Sequence, residues 1–198
     1  RLVTMSKEDK DWIKKMVPEA DISVVANGID MDFFEKTPIK RPSAPTVLFV
    51  GNYKWLPNVA AAKHLVGDIW SLILKELPDA KLKIVGRDPT SAIRLLGEKT
   101  GVKVVGEVED IRQALGEAHV MVTPIRNGRG TRYKILEAMA AGLPVVSTSL
   151  GIEGIQAVDG KHALIKDGAD ELAQATVGLL KNKKLANVLA ENAKKLVM

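Results

Sequence analysis

The sequence predicts an α/β fold, a doubly wound parallel sheet of the Rossmann-like kind, on three observations. From about residue 46 onward, short β-rich runs alternate with longer helical patterns, the signature of βαβ units. The 198 residues are 46% hydrophobic and 27% charged, rich enough in Val, Ile, Leu and Ala to bury a core, which excludes a disordered or collagen-like chain. A strand-free stretch, residues 36–45, carries Pro38, Pro42 and Pro45 and interrupts both helix and sheet.

Taken in order, residues 1–35 offer a strand at Leu2–Met5, a helix opened by Ser6 with Asp9 three positions on, and a strand at Ile22–Val25 that ends in Ala26-Asn27-Gly28. One such unit cannot cover both faces of its own strands, so residues 1–35 are expected to be the end of another domain. The chain, which begins with Arg1, is expected to be a fragment. Residues 36–45 are read as a linker and 46–198 as one doubly wound domain. Its strands are expected at Thr46–Val50, Lys81–Val85, Val102–Val105, His119–Thr123, Pro144–Thr148 and Ala163–Ile165. Between the first two, Val59, Ala62, Leu65, Val66, Ile69, Trp70, Ile73 and Leu77 fall at helical spacing, from Pro57 to a stop at Pro78. Further helices are expected at Ser91–Thr100, Asp110–Glu117, Thr131–Ala141, Asp170–Lys181 and Lys184–Leu196.

Composition narrows the function. There is no cysteine, and the three histidines, His64, His119 and His162, lie far apart in sequence, so no metal centre is expected. No apolar run reaches the roughly 18–20 residues that cross a bilayer, and the first residues lack a secretory pattern; a cytoplasmic chain is expected. The formal net charge of +5 favours anionic ligands such as phosphates, nucleotides or lipid head groups. Lysine and arginine are spread along the chain rather than gathered in an arm, so no nucleic-acid partner is expected.

In an open parallel sheet, ligands bind beyond the carboxyl ends of the strands, where helix N-termini present free N–H groups. Three loops lie there. In the run from Pro124 to Pro144, Gly128 and Gly130 let the backbone approach a ligand, and Thr131 is a natural N-cap. Arg126, Arg129, Arg132 and Lys134 surround the same turn, and Glu137 is placed to accept hydrogen bonds from ligand hydroxyls. A capped surface helix with solvated charges is the plainer alternative. The second loop, Gly51 to Asn58, adds Gly51, Asn52 and Lys54, with Trp55 more naturally a packing residue than a stacking platform. In the third, Gly86-Arg87-Asp88-Pro89, Arg87 is either a phosphate or base contact or half of a surface turn. No Gly-x4-Gly-Lys-Ser/Thr string occurs, and Tyr133 stands where a dinucleotide fingerprint needs its third glycine. No nucleophile elbow or histidine-centred triad is visible.

The run Gly130 to Thr148, with Gly151-Ile152-Glu153-Gly154, closely resembles the donor-binding half of group 1, family 4 glycosyltransferases. The likeness extends to Val47–Gly51, Lys83–Arg87, Val105–Val108, Asp110 and Val24–Asp30, nearly the whole chain in order. It implies the glycosyltransferase-B fold of two facing Rossmann-like domains, retention of configuration, and a UDP- or GDP-linked sugar donor as substrate with no separate cofactor. Residues 1–35 would end the acceptor domain, through which a glycan or lipid-linked acceptor binds, as in polysaccharide biosynthesis; the basic charge permits peripheral association with the inner membrane surface. Glu137 matches the second glutamate of the family's Glu-x7-Glu motif and would bind the ribose, Val108 the base, and Lys134 with the N–H groups of Gly130 and Thr131 the diphosphate. The motif's first glutamate falls on Arg129, so the residue that faces the transferred sugar departs from the pattern, and Arg129 and Lys134 are the residues expected at the reacting centre. Lys54 or Arg132 would assist Lys134 in stabilising the leaving diphosphate without a metal. A nucleotide-sugar 2-epimerase-like enzyme and a non-catalytic nucleotide-binding module remain as alternatives.

Overall fold

The computed structural model describes residues 1–198. The first unit is β1 (Leu2–Thr4), α1 (Lys7–Met16) and β2 (Ile22–Val24), the two strands paired in parallel. Ser6 caps α1 by accepting the Asp9 N–H, as the Ser6 and Asp9 spacing anticipates. The unit leaves Val3, Met5, Trp12, Met16 and Val25 exposed. A five-residue helix, α2 (Met31–Glu35), follows, capped by Asp30; it is too short to show a helical period in the sequence. Its Phe34 is buried with Ala138, Met139 and Ala193. The Pro-rich stretch runs along the surface, Lys40 donating its N–H to the Gly116 carbonyl.

The main sheet has six parallel strands in the order β5-β4-β3-β6-β7-β8. They are β3 (Thr46–Val50), β4 (Lys81–Val85), β5 (Val102–Gly106), β6 (Val120–Thr123), β7 (Val145–Ser147) and β8 (Leu164–Ile165). Each lies within a residue or two of its expected span. The alternation of side chains builds a core on both faces: Val47 and Phe49 pack with Leu65, Ile69, Trp70 and Ile73 on one, while Leu48 packs with Met121, Ile135 and Met139 on the other. Each such side chain, fully withdrawn from water, contributes about 1.5–3 kcal/mol.

The connecting helices are α3 (Leu56–His64), α4 (Trp70–Glu76), α5 (Ser91–Arg94), α6 (Ile111–Gly116), α7 (Tyr133–Ala140), α8 (Ala169–Lys181) and α9 (Lys183–Val197). Two expected helices differ in detail. The segment from Pro57 to Leu77 is broken by a π turn over Leu65–Ile69, which shifts the helical phase so that Leu65, Ile69, Trp70 and Ile73 all stay buried. The Ser91–Thr100 helix tightens after one turn into a 3₁₀ turn over Leu95–Glu98, where Gly97 weakens helical propagation. No helix is long and apolar enough to cross a membrane.

Because the strands are parallel, their carboxyl ends lie on one rim. The chain builds outward from β3 to β5 and then returns to lay β6 on the other side of β3. The strand order therefore reverses between β3 and β6, and a crevice opens there.

Candidate functional site

The loops after β3 and β4 meet without a gap. Gly86, at φ 142°, lies so close that a Cβ on it would sit 1.6 Å from the Gly51 carbonyl oxygen. Gly51 in turn donates its N–H to the Val85 carbonyl, and Tyr53 N–H reaches the Arg87 carbonyl at 3.0 Å. Tyr53 is the buried aromatic of this loop, its hydroxyl donating to the Val85 carbonyl at 3.2 Å. Burial pushes its phenol up. Trp55, expected to pack, is instead 67% exposed at the loop's tip.

Across the switch point stands the start of α7. Thr131 was expected to cap it, but the N-cap position falls on Arg132, whose side chain makes no capping bond. Thr131 Oγ1 is buried against Gly154 instead, without a hydrogen-bond partner. The N–H groups of Tyr133 and Lys134 consequently have no internal acceptor, leaving the partial positive charge of the helix end unanswered. The loop before it turns at Gly128 (φ 88°) and Gly130 (φ 92°), conformations that favour glycine, and Gly128 rests on Pro57.

The expected ring of four cations does not form. Of the four, only Lys134 reaches across to the loop after β3: its Nζ donates to Asn58 Oδ1 at 2.6 Å, and Asn58 Nδ2 donates to the Asn52 carbonyl at 2.8 Å. This chain of bonds ties α7 to the loop after β3 across the switch point. Burial, with Arg132 nearby, lowers the Lys134 ammonium from 10.5 to about 7, while Glu137 opposes the shift. Glu137, one turn along, is itself raised by burial, with Lys134 opposing. Arg129 is drawn the other way, over the Trp12 ring of α1 at 5.0 Å. Arg126 is exposed beside His64 and Pro124. Arg132 folds back on the Gly130 carbonyl; burial lowers its guanidinium pKa, with Glu153 and Asp9 opposing, and its Nη2 is buried without a hydrogen-bond partner.

The remaining expected cations are neutralised by acids that sequence order did not point to. Lys54 pairs with Asp88 at 3.4 Å and Arg87 with Glu107 at 2.8 Å. Glu137, Gly51, Asn52, Arg87 and Val108 do come together, as walls of one cavity of about 350 Å³. Its other walls include Phe33, Glu107 and Glu109, which the sequence reading had not named as site residues. Asn58 was also missed; its spacing after Gly51 shows nothing until β3 and β6 are known to be neighbours. The cavity is thus acidic at residues 107–110; Lys134 and the start of α7 are not among its walls and lie beside it, joined through Asn58 to the wall residue Asn52.

An open parallel sheet with an unsatisfied helix start at its reversal point defines a Rossmann-like domain with an anion-receptive crevice. Residues 44–182 match the family Glycosyl transferases group 1, and the chain belongs to that family. It is 30% identical over 175 residues to the phosphatidyl-myo-inositol mannosyltransferase of Mycolicibacterium smegmatis, covering 84% of this chain and 45% of that one. An uncharacterized 44.6 kDa protein of the cps region of Klebsiella pneumoniae is 30% identical over 161 residues, covering 74% of this chain and 40% of that one. The chain thus spans less than half the length of these relatives. Among solved structures, Staphylococcus aureus TarM superposes with a TM-score of 0.83 at 17% identity, covering 98% of this chain and 40% of that one. Anabaena HepE, solved with UDP and glucose, gives 0.77 at 16%, covering 98% and 57%. At these identities the two structures establish the fold.

Proposed function

We propose that this chain is the donor-binding part of a retaining glycosyltransferase that holds a UDP- or GDP-linked sugar in the crevice between β3 and β6. The observation that supports this reading best is the bond chain from Lys134 through Asn58 to Asn52 beside the uncapped start of α7. A buried lysine with a depressed pKa is unfavourable for the empty fold and becomes favourable once a dianion arrives. The TarM and HepE structures both hold UDP, in agreement with a nucleotide-sugar donor.

In transfer, the bond between the anomeric carbon and the phosphate oxygen breaks with its electron pair staying on the diphosphate, while the acceptor hydroxyl oxygen bonds to that carbon and gives up its proton to the diphosphate or to water. Charge grows on that oxygen, so donors aimed at it bind the transition state more strongly than the ground state. The Lys134 ammonium and the Tyr133 and Lys134 N–H groups take this role. Glu137 accepts from the ribose hydroxyls, and Gly51 and Gly86 let the nucleotide lie close against backbone. Arg129 faces the side from which an acceptor arrives. Residues 1–35 belong with the acceptor-binding domain and 36–45 form the connection; the acceptor is a glycan or a lipid-linked sugar, met at the cytoplasmic face of a membrane. The lipid named in the Mycolicibacterium relative agrees with such an acceptor.

Calorimetric titration with UDP and GDP tests the reading: one of them binds at millimolar concentration or below, and Lys134→Ala removes the binding. No binding by either, or equal binding by the variant, would overturn it.

A further inference from the structure

The acidic end of the crevice has donor and acceptor groups to spare. Val108 and Glu109 spend none of their backbone N–H and C=O groups on the chain itself. Three carboxylates line the same wall, and two are committed. Glu107 is held by Arg87 at 2.8 Å. Asp110 receives the Arg112 guanidinium at 2.7 Å and caps α6 through the Arg112 N–H at 2.9 Å, contacts that hold its carboxyl below the usual range. Glu109 has neither a cationic partner nor a hydrogen bond, and it is exposed to the cavity of about 350 Å³. The Phe33 ring adds an aromatic surface, already fixed by the Arg112 guanidinium 3.8 Å from its centroid.

We infer that this end of the crevice selects guanine, with Glu109 as the residue that distinguishes it from uracil. The inference rests on the nucleotide-donor reading above and deepens it. A free backbone N–H and C=O at Val108 satisfy an acceptor followed by a donor. Both bases present that pair: O4 and N3–H in uracil, O6 and N1–H in guanine. They differ at the next position along the edge. Uracil places the O2 acceptor there, which a carboxylate repels; guanine places its 2-amino group, which a carboxylate accepts in a charge-assisted bond. Cytosine and adenine begin the edge with an amino donor and mismatch the backbone N–H at the first position. The acid that would favour guanine is the one of the three that nothing else in the chain uses.

Inosine diphosphate separates the claim from its foundation, because hypoxanthine keeps guanine's O6 and N1–H and lacks the 2-amino group. Calorimetry on the chain with GDP, IDP, UDP and ADP, at constant pH and salt, is expected to give GDP about ten- to a hundredfold tighter than IDP, the range of one charge-assisted hydrogen bond, with UDP weaker still. Glu109→Ala, an exposed substitution outside the core, is expected to bring GDP down to the IDP level and to leave IDP unchanged. Equal affinity for GDP and IDP, tighter binding of UDP, or a GDP preference that survives Glu109→Ala overturns the guanine assignment and leaves the donor site standing. Failure of all four diphosphates to bind overturns the donor site itself.

Discussion

Raising the pH from 7 to 8.5 interrogates Lys134 without touching the sequence. In the empty crevice its ammonium loses its proton at about 7, against an ordinary 10.5. A bound diphosphate supplies the counter-charge that burial withheld and brings the group back toward that ordinary value. Under this linkage the affinity for a nucleoside diphosphate falls by about fifteenfold over the window, and binding at pH 8 takes up about 0.9 proton. The ligand does not obscure the effect, since a terminal phosphate with a last pKa of about 6 is already a dianion there. Titrations in two buffers of different ionisation enthalpy count the proton directly. Lys134→Met is expected to bind weakly and to show no pH dependence in this range. Flat affinity with no proton uptake, or a decline that persists in Lys134→Met, would refute the assignment.

Removing the same lysine should stabilise the empty chain. Its folded pKa is depressed, so the unfolded chain binds more protons between pH 7 and 10.5, and this group penalises the fold most at low pH; Lys134→Met at pH 6 is expected to raise Tm by about 2–4 °C, read by calorimetry. Glu137→Ala is expected to weaken nucleoside diphosphate binding about tenfold and to change inorganic pyrophosphate binding much less, the latter only through the lost charge beside Lys134, because the lost partner is the ribose. Gly86→Ala places a methyl 1.6 Å from the Gly51 carbonyl at a φ of 142°, and a loss of about 3 kcal/mol or more should appear in urea denaturation.

The fold was legible because its signals are local and repeated. Alternation of strand and helix, a proline before or after a helix, and an aspartate or serine at a cap are set within a few residues, and all six main strands could be read that way. What failed to show was either too short or too distant. The helix α2 spans five residues, less than two turns, and offers no period. The choice of Arg132 over Thr131 as N-cap depends on Gly154, whose turn packs against the Thr131 hydroxyl and draws it away from the helix. The bond from Lys134 to Asn58 joins residues 76 apart, and nothing in either segment announces the other. Glycines marked where the crevice would be. The partners of its charged groups depended on which strands lie side by side.

Those partners explain why a chain so rich in cations leaves few of them uncancelled beside the crevice. Exposed ion pairs such as Lys54 with Asp88 and Arg87 with Glu107 contribute little to stability, since water and salt screen them. Their consequence lies in where uncancelled charge remains. Each removes a competing phosphate site along the rim, and Trp12 draws Arg129 away on a third side. The cations left without a carboxylate partner beside the crevice are Lys134 and Arg132 at the start of α7, while the far end presents Glu109. On the proposed reading, a ligand with phosphates at one end and hydrogen-bond donors at the other is expected to lie with its phosphates toward Lys134. Neutralising Glu109 should disturb that orientation little, because the phosphate end supplies most of the charge. Replacing Asp88 with alanine would release Lys54 beside the crevice and add a second phosphate contact. The affinity for inorganic pyrophosphate should then rise, by about two- to fivefold at low salt, and fall back as ionic strength increases.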